Sequence, residues 1–527
     1  MKYLKNVFFL TLLFTSILAH SEWKYPPFTL TSEDDATLTP QISCDSSGNA
    51  FAVWTIIIDG TSLPIIQSSY FNANTLTWSD ATDLTDGTRI ADGAAICCDD
   101  FGNAFATWIE FDGTNYSIMT SQFDGNTWSS AVTLSTGEAY LLTPNPKICC
   151  NNSGEAFASW SRLDGSQLIV EVSQFNGSSW LTPVNLSLPG AVSYLVEICC
   201  DSFGNAITIW LREDINDIIQ SSRFNGTTWS SAVTLSNASQ PSQLPDLCCD
   251  DFGNAFAIWP ELNGTNFIIK SSQFNGTTWL PSESLSIEGE SSTRPQICCN
   301  NSGNAFAAWE TSGLPNYTIY SSHFNGTSWT NPSDVSQLSS SSESARFPAI
   351  CCDELGNAVA AWHSDQGTTT TVQASSYSAS SMSWSSPPDI LSSPSEDHPL
   401  DDEVRICCGA AGRAVAIWWT ITSPTSIIES TYFLSVIVSP PENFAGGRVS
   451  NRFPSQSVVS AHLNWTPNSD PEVTSFKIFR DGTLIATISS QYASYTDCNI
   501  DPCQTYTYSI VSVNAAGDES SSESISF

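Results

Sequence analysis

One short phrase recurs eight times along this chain. Its clearest copies read Ile-Cys-Cys-Asp-Asp-Phe-Gly-Asn-Ala-Phe-Ala-Thr-Trp from Ile96 and Leu-Cys-Cys-Asp-Asp-Phe-Gly-Asn-Ala-Phe-Ala-Ile-Trp from Leu247. The closing tryptophans fall at Trp54, Trp108, Trp160, Trp210, Trp259, Trp309, Trp362 and Trp418. Their spacing is about fifty residues, the length of a propeller blade or of another modular unit.

Alternation and turn chemistry divide each copy into four short strands. In the second copy, Ile96-Cys97-Cys98 reads as a first strand and Asp99 to Asn103 as a turn. Ala104 to Trp108 reads as a second strand, Tyr116 to Phe123 as a third, and Thr127 to Leu134 as a fourth. An Asn-Gly or Asp-Gly pair separates strands three and four, where a positive φ suits a tight hairpin. The eighth copy ends without a fourth strand, and Trp23 to Thr31 matches the missing piece. The expected fold is therefore all-β: an eight-bladed β-propeller of four-stranded blades closed by the N-terminal strand, with a seven-bladed ring or two smaller rings as alternatives. Closure leaves no free sheet edge around the ring.

Lys2, Lys5, the apolar run Val7 to Ala19 and the small-residue exit Ala19-His20-Ser21 make residues 1–21 a secretory signal peptide. The run is too short to span a bilayer. The protein is thus expected to be secreted, or retained at the cell surface or in a periplasm. Its formal net charge is -36, with 17 basic residues among 527 and no basic stripe, which argues against a nucleic-acid partner. Acidity keeps such a β surface soluble and self-repelling, so a monomer is expected.

Ser-Gln-Phe-Asn-Gly-Thr-Thr-Trp from Ser272 has the Ser, Gly and Trp spacing of the Asp-box, and the ring as a whole resembles sialidase-like propellers. The aspartate of the box is replaced by Phe274 here and by Phe123, Phe175, Phe224 and Phe324 elsewhere. The box staples a hairpin, so the resemblance bears on fold rather than on substrate. The propeller is assigned to 22–435 and a second domain to 436–527. Leu463-Asn464-Trp465, Phe476 to Gly482 and Tyr506 to Gly517 resemble a fibronectin type III domain, which implies a β-sandwich used as spacer or adhesive appendage.

Seven copies carry adjacent cysteines, and the first reads Ser43-Cys44. Neighbours on a strand point to opposite faces, so each copy offers one sulfur to each adjacent copy, and an exported protein favours oxidation. Fifteen ring cysteines allow seven bonds and one leftover thiol, with the unbonded interface beside Ser43. Two registers satisfy the count, Cys44 to Cys97 onward or Cys407 to Cys44. The bond requires Cα atoms within about 7 Å, closer than packed sheets, so it demands first strands converging near an axis. The alternative is that the cysteines are small apolar filler. Cys498 and Cys503 read as a local disulfide clip.

No protease, hydrolase or phosphate-loop motif is present, five histidines form no ligand pair, and no cofactor, metal or catalytic residue is expected. The Asp-Asp-x-Gly-Asn stretches lack the alternating carboxylates of a calcium loop and read as turns. Function is expected on the face built from the loops that vary between copies. That face carries Arg89, Tyr116, Tyr140, Arg162, Tyr194, Arg212, Glu213, Arg294, Tyr317, Arg346, His363 and Trp419. Aromatics with scattered arginines suit a rim that binds an extracellular protein or glycan without catalysis. The alternative is a sialidase-like glycoside hydrolase, which needs Arg294 and Arg346 to converge or paired acids to flank a sugar.

Overall fold

The computed structural model describes residues 22–527 apart from 33–34, 59, 61–62, 139–145, 166, 189, 314, 368, 395–403, 410–411, 422–424, 435–440, 454–455, 467–472, 499, 515–519 and 521. The expected signal segment and Tyr140 lie outside the described residues. Contacts are dense within Trp23–Leu434 and, separately, within Ser435–Phe527.

In Trp23–Leu434 the described residues form eight antiparallel sheets of four or five strands, strung one after another along the chain. The Trp259 sheet is representative: Asp246–Cys249, Ala255–Asn263, Asn266–Phe274 and Glu283–Ser284 pair in sequence order. Its second strand alternates small and large residues, and both faces are buried. Ala255, Ala257 and Trp259 pack toward the preceding Trp210 sheet, whereas Phe256 and Ile258 pack toward the following Trp309 sheet. Two-residue periodicity therefore yields a sheet that is apolar on both sides, which must be covered on both sides to exclude water.

Each neighbouring pair of sheets shares such a cluster, and the Trp54 sheet also shares one with the Trp418 sheet at the other end of the array. All eight repeat tryptophans are essentially inaccessible. Four-stranded sheets stacked face to face in this way fit a β-propeller. The N-terminal residues complete the Trp418 sheet as the repeat alignment predicts: Phe28 pairs with Ser430, Thr29 with Glu429, and Trp23 packs 5.4 Å from Phe433.

In most repeats two hairpins are stapled by side chains. In the first, Asp250 Oδ1 accepts the backbone N–H of Phe252 at 2.9 Å and of Asn254 at 2.8 Å, while Oδ2 accepts Asn254 Nδ2 at 2.6 Å. Asp45, Asp99, Asp201 and Asp353 repeat this geometry. Gly253, at φ +83, supplies the left-handed residue that the turn requires. The first aspartate of the repeated phrase is thus a hairpin staple. In the second hairpin Ser272 Oγ donates to the Leu280 carbonyl at 2.7 Å, and Phe274 packs on Trp279 at 5.4 Å. Serine and tryptophan keep their places from the Asp-box pattern, and in this repeat Asn275 Oδ1 rather than a carboxylate accepts the turn N–H groups of Thr277 and Thr278.

Six of the seven expected belt bonds form, in the Cys407-to-Cys44 register. Bonds join Cys44 to Cys407, Cys97 to Cys150, Cys199 to Cys249, Cys248 to Cys299, Cys298 to Cys352 and Cys351 to Cys408, with Cα separations of 5.4–5.9 Å. First strands of adjacent sheets therefore stand closer than the spacing typical of packed sheets. Cys149 and Cys200 occupy the same relative positions as thiols facing each other. Cys98 is the leftover thiol and donates to Ser43 Oγ at 3.3 Å; burial pushes its pKa up to about 12.

Ser435–Phe527 holds two sheets. Glu442–Phe453, Gln456–Thr466 and Ser494–Asp497 form one, and Thr483–Ser489, Val473–Arg480, Thr507–Asn514 and Glu523–Ser526 form the other. Leu463 and Trp465 from the first meet Phe476, Ile478, Tyr508 and Ile510 from the second in one core. The expected Cys498–Cys503 clip is corrected: both thiols are free and exposed. Asp501 organises that stretch instead, accepting Cys503 N–H at 2.9 Å, while its own N–H donates to Tyr506 Oη at 3.0 Å.

Candidate functional site

First strands carry bulges that the spacing of the repeat does not announce. Pairing with the second strand slips between Leu38 and Gln41, Asp92 and Ala95, Tyr194 and Glu197, Thr293 and Gln296, and Arg346 and Ala349. Within these bulges Thr39, Gly93, Leu195, Arg294 and Phe347 adopt φ between +48 and +63. All stand five residues before the second cysteine position of their repeats. Pro40, Pro295 and Pro348 follow three of them, and a proline inside a strand is the signal that marks a bulge. Such a bulge re-aims side chains at the strand end.

In the Trp309 and Trp362 sheets the bulges bring two arginines onto one carboxylate. Arg294 NH1 lies 3.1 Å from Glu310 Oε1, and Arg346 NH2 lies 3.6 Å from the same oxygen. The Phe347 N–H donates to Glu310 Oε2 at 3.2 Å. Glu310 has 0% exposed surface, whereas the arginine side chains remain 34% and 25% exposed. Arg294 lies over the Phe347 ring at 4.4 Å, and Arg346 over Tyr317 at 4.5 Å and Phe347 at 4.9 Å. The Arg346 Nε is buried without a hydrogen-bond partner. Two cations against one anion leave one formal positive charge at this spot, held between aromatic faces.

The other expected rim residues do not join this cluster. Arg89 pairs with Glu110 at 3.5 Å, Arg162 with Glu171 at 2.9 Å, and Arg212 with Asp214 at 3.7 Å. Tyr116 packs on Phe111 at 4.7 Å, and Tyr194 is half-buried beside Cys199 and Leu211 in the cluster shared by the Trp210 and Trp259 sheets. Trp419 packs where the Trp54 and Trp418 sheets meet, and His363 is buried across the ladder from Arg346. Most of the expected rim arginines are therefore engaged by the protein's own acids.

Glutamates bonded to the repeat tryptophans, two of which also hold rim arginines, are residues that sequence reasoning missed. Glu110 and Glu261 lie two residues after a repeat tryptophan and so share its strand face; they accept the indole N–H of Trp108 at 3.1 Å and of Trp259 at 3.4 Å. Glu171 and Glu429 reach Trp160 and Trp418 from the opposite strand, at 3.0 and 3.1 Å. A Trp-x-Glu spacing was the available signal for the first pair. The second pair needs cross-strand register, which periodicity alone does not supply.

A second charged group lies on neighbouring first strands. Lys147 Nζ is 2.7 Å from Glu197 Oε1, and Asp246 accepts the N–H groups of Ile297 at 2.8 Å and Leu247 at 2.9 Å. Burial and then the Glu197 charge push the Asp246 carboxyl up to about 7, against hydrogen bonds and Lys147 that favour its ionised form. Between about pH 4, where an unfolded aspartate titrates, and about pH 7, the folded protein holds a proton that the unfolded chain has released. This residue's contribution to stability is therefore expected to fall as pH rises through that window and to level off above it. Urea midpoints measured across the window for the wild type and Asp246→Asn check this: the difference between them should change with pH, and parallel profiles would refute the assignment.

No family model matches this chain, and no curated protein matches it. Among solved structures, it is similar to an ulvan lyase of a polysaccharide lyase family at 9% identity, covering 63% of this chain and 92% of that one with a TM-score of 0.41. It is also similar to an alpha-L-arabinanase of Penicillium chrysogenum complexed with arabinobiose, at 12% identity, 64% and 92% coverage and a TM-score of 0.36. A subtype N10 neuraminidase-like protein of A/little yellow-shouldered bat is similar at 12% identity, 55% and 95% coverage and a TM-score of 0.34.

Proposed function

We propose that this protein is an exported, monomeric, non-catalytic binding protein: an eight-bladed propeller whose variable-loop face holds an extracellular glycan or protein, followed by a fibronectin type III module. Eight sheets among the described residues, the pairing of Phe28–Thr29 with the Trp418 sheet, and the Cys44–Cys407 bond support the blade count and its closure. The three-plus-four strand arrangement around Trp465 supports the module. A belt of disulfides supports export.

The observation that carries the binding role is the sharing of one buried carboxylate by Arg294 and Arg346. Guanidinium forks suit a carboxylate, and here one positive charge is unmatched on groups that solvent still reaches. The ligand that fits bears a carboxylate on a mostly neutral body, as an acidic sugar or a peptide with one acidic side chain does. A polyanion would meet the field of a chain with net charge -36. Hydrolysis is the poorer reading, because Glu310 is buried, accepts hydrogen bonds from Arg294 and the Phe347 N–H and is ion-paired with Arg346, which leaves the carboxylate beside these arginines unable to flank a sugar as acid or nucleophile.

On an array of neutral and carboxylate-bearing glycans and acidic peptides, the purified protein is expected to retain carboxylate-bearing ligands. Replacing both Arg294 and Arg346 with alanine should weaken retention about tenfold or more, the scale of a lost charged contact. Turnover of any fluorogenic glycoside that disappears in Arg346→Ala would overturn the non-catalytic reading.

A further inference from the structure

The hairpins between first and second strands lie at the end of the strands opposite the variable loops, and their tips differ in one respect. The residue two positions after the stapling residue donates its N–H to that residue's Oδ1 in each of these turns, so the tips share one geometry. Three tips carry Ser47, Ser153 and Ser302, as expected for exposed turns. Four others carry Phe101, Phe203, Phe252 and Leu355, which are 73%, 69%, 63% and 66% exposed. Because serine satisfies the same turn elsewhere in this chain, the fold does not require an apolar residue there. Several large apolar side chains held in water on one face, without a folding reason, suit an interaction surface.

The tips are joined into one collar. Asn152 and Asp100 exchange hydrogen bonds at 2.9 and 2.6 Å across adjacent turns, and Asn301 and Asp251 do so at 2.7 Å each. Ser202 Oγ donates to the Asp251 carbonyl at 2.9 Å, and Glu354 accepts the Asn301 N–H at 3.0 Å. These contacts place the tips side by side on one face. They also fix an acid directly before three of the apolar tips: Asp100 before Phe101, Asp251 before Phe252, and Glu354 before Leu355.

We propose that this collar docks a basic segment of a partner protein that carries apolar residues between its lysines or arginines. Charge complementarity selects the occupant. Apolar contact alone would leave the collar acids facing an unmatched surface, a second copy would set two acidic collars against each other, and the chain's charge of -36 repels acidic partners. The site lies on the face opposite the Arg294–Arg346 cluster, so the two ligands need not compete.

The test uses the full chain and two fluorescein-labelled synthetic peptides, one alternating lysine with leucine and the other glutamate with leucine, read by fluorescence anisotropy. The lysine-leucine peptide is expected to bind, more weakly at high salt, and the glutamate-leucine peptide is not. Phe203→Ser, Phe252→Ser and Leu355→Ser combined install the serine already used by sibling turns and leave every charge in place. They are expected to weaken binding about tenfold or more with an unchanged melting curve; Phe252→Ser alone should do so in part. Failure of the lysine-leucine peptide to bind overturns the proposal, and so does equal affinity of the triple-serine variant, which would mean that charge alone attracts the peptide. Self-association by light scattering that the triple-serine variant abolishes would give the face to a second copy instead, and would equally overturn it.

Discussion

Replacing Cys44 and Cys407 together with serine is expected to lower the melting temperature of the Trp23–Leu434 unit by about 3–6 °C, a shift suited to a loss of several kcal/mol in a unit of this size. That bond closes a loop with a sequence separation of 363 and ties the first sheet to the last. In the chain-entropy model a loop of that length is worth about 6 kcal/mol, against about 4 kcal/mol for the bonds between consecutive sheets; neighbouring crosslinks shorten the effective loop and reduce both values. Without the bond, the Trp54 and Trp418 sheets are held together by their shared apolar cluster and by contacts such as Thr37 N–H to Ser426 Oγ at 2.8 Å. The opposite change has an expected sign as well. Ser43→Cys places a thiol against Cys98, which already reaches the serine hydroxyl at 3.3 Å. A new bond there should raise stability by about 2–4 kcal/mol. Guanidinium unfolding with and without reductant checks both changes, and non-reducing peptide mapping shows whether the bond has formed. An unchanged midpoint for the double serine variant would mean that the belt fills space without bracing the array.

The two cysteine registers illustrate what a sequence of this kind withholds. Counting predicts seven bonds and one thiol, but both registers satisfy the count. Which sulfur faces which neighbour depends on the direction in which successive sheets turn, a three-dimensional fact with no trace in the spacing. The second and third strands, the stapled turns and the role of the N-terminal strand were legible because they depend on alternation and on residues within one repeat, whereas the first strand starts earlier, at Ile90, and the fourth lies later, at Val132–Glu138, than the second copy suggests. The arginine cluster was legible only in half. Arg294 and Arg346 stand out before their strands, yet Glu310 reads as an ordinary residue after a tryptophan, because its partners come from two bulges and two sheets. The tips read as turns, and although Phe101, Phe203 and Phe252 stand in the phrase itself, only their exposure distinguishes them from core phenylalanines such as Phe105.

Glu310 is where stability and recognition are expected to oppose each other. Its carboxylate is buried and holds Arg294, Arg346 and the Phe347 N–H. Removing one partner of a buried charge network costs about 3–5 kcal/mol when the remaining charge stays buried. These guanidiniums are 34% and 25% exposed, so solvent screens part of their repulsion and Glu310→Ala is expected near the low end, about 3 kcal/mol. Glu310→Gln keeps the shape and one acceptor and should cost less. Both variants free the second positive charge, so a carboxylate-bearing ligand identified on the array should bind more tightly to Glu310→Gln than to the wild type, by a few-fold or more. A purely structural glutamate predicts the reverse, weaker binding in step with lower stability. Measuring the urea midpoint and the ligand dissociation constant on the same preparations separates the two, because only a recognition site moves them in opposite directions.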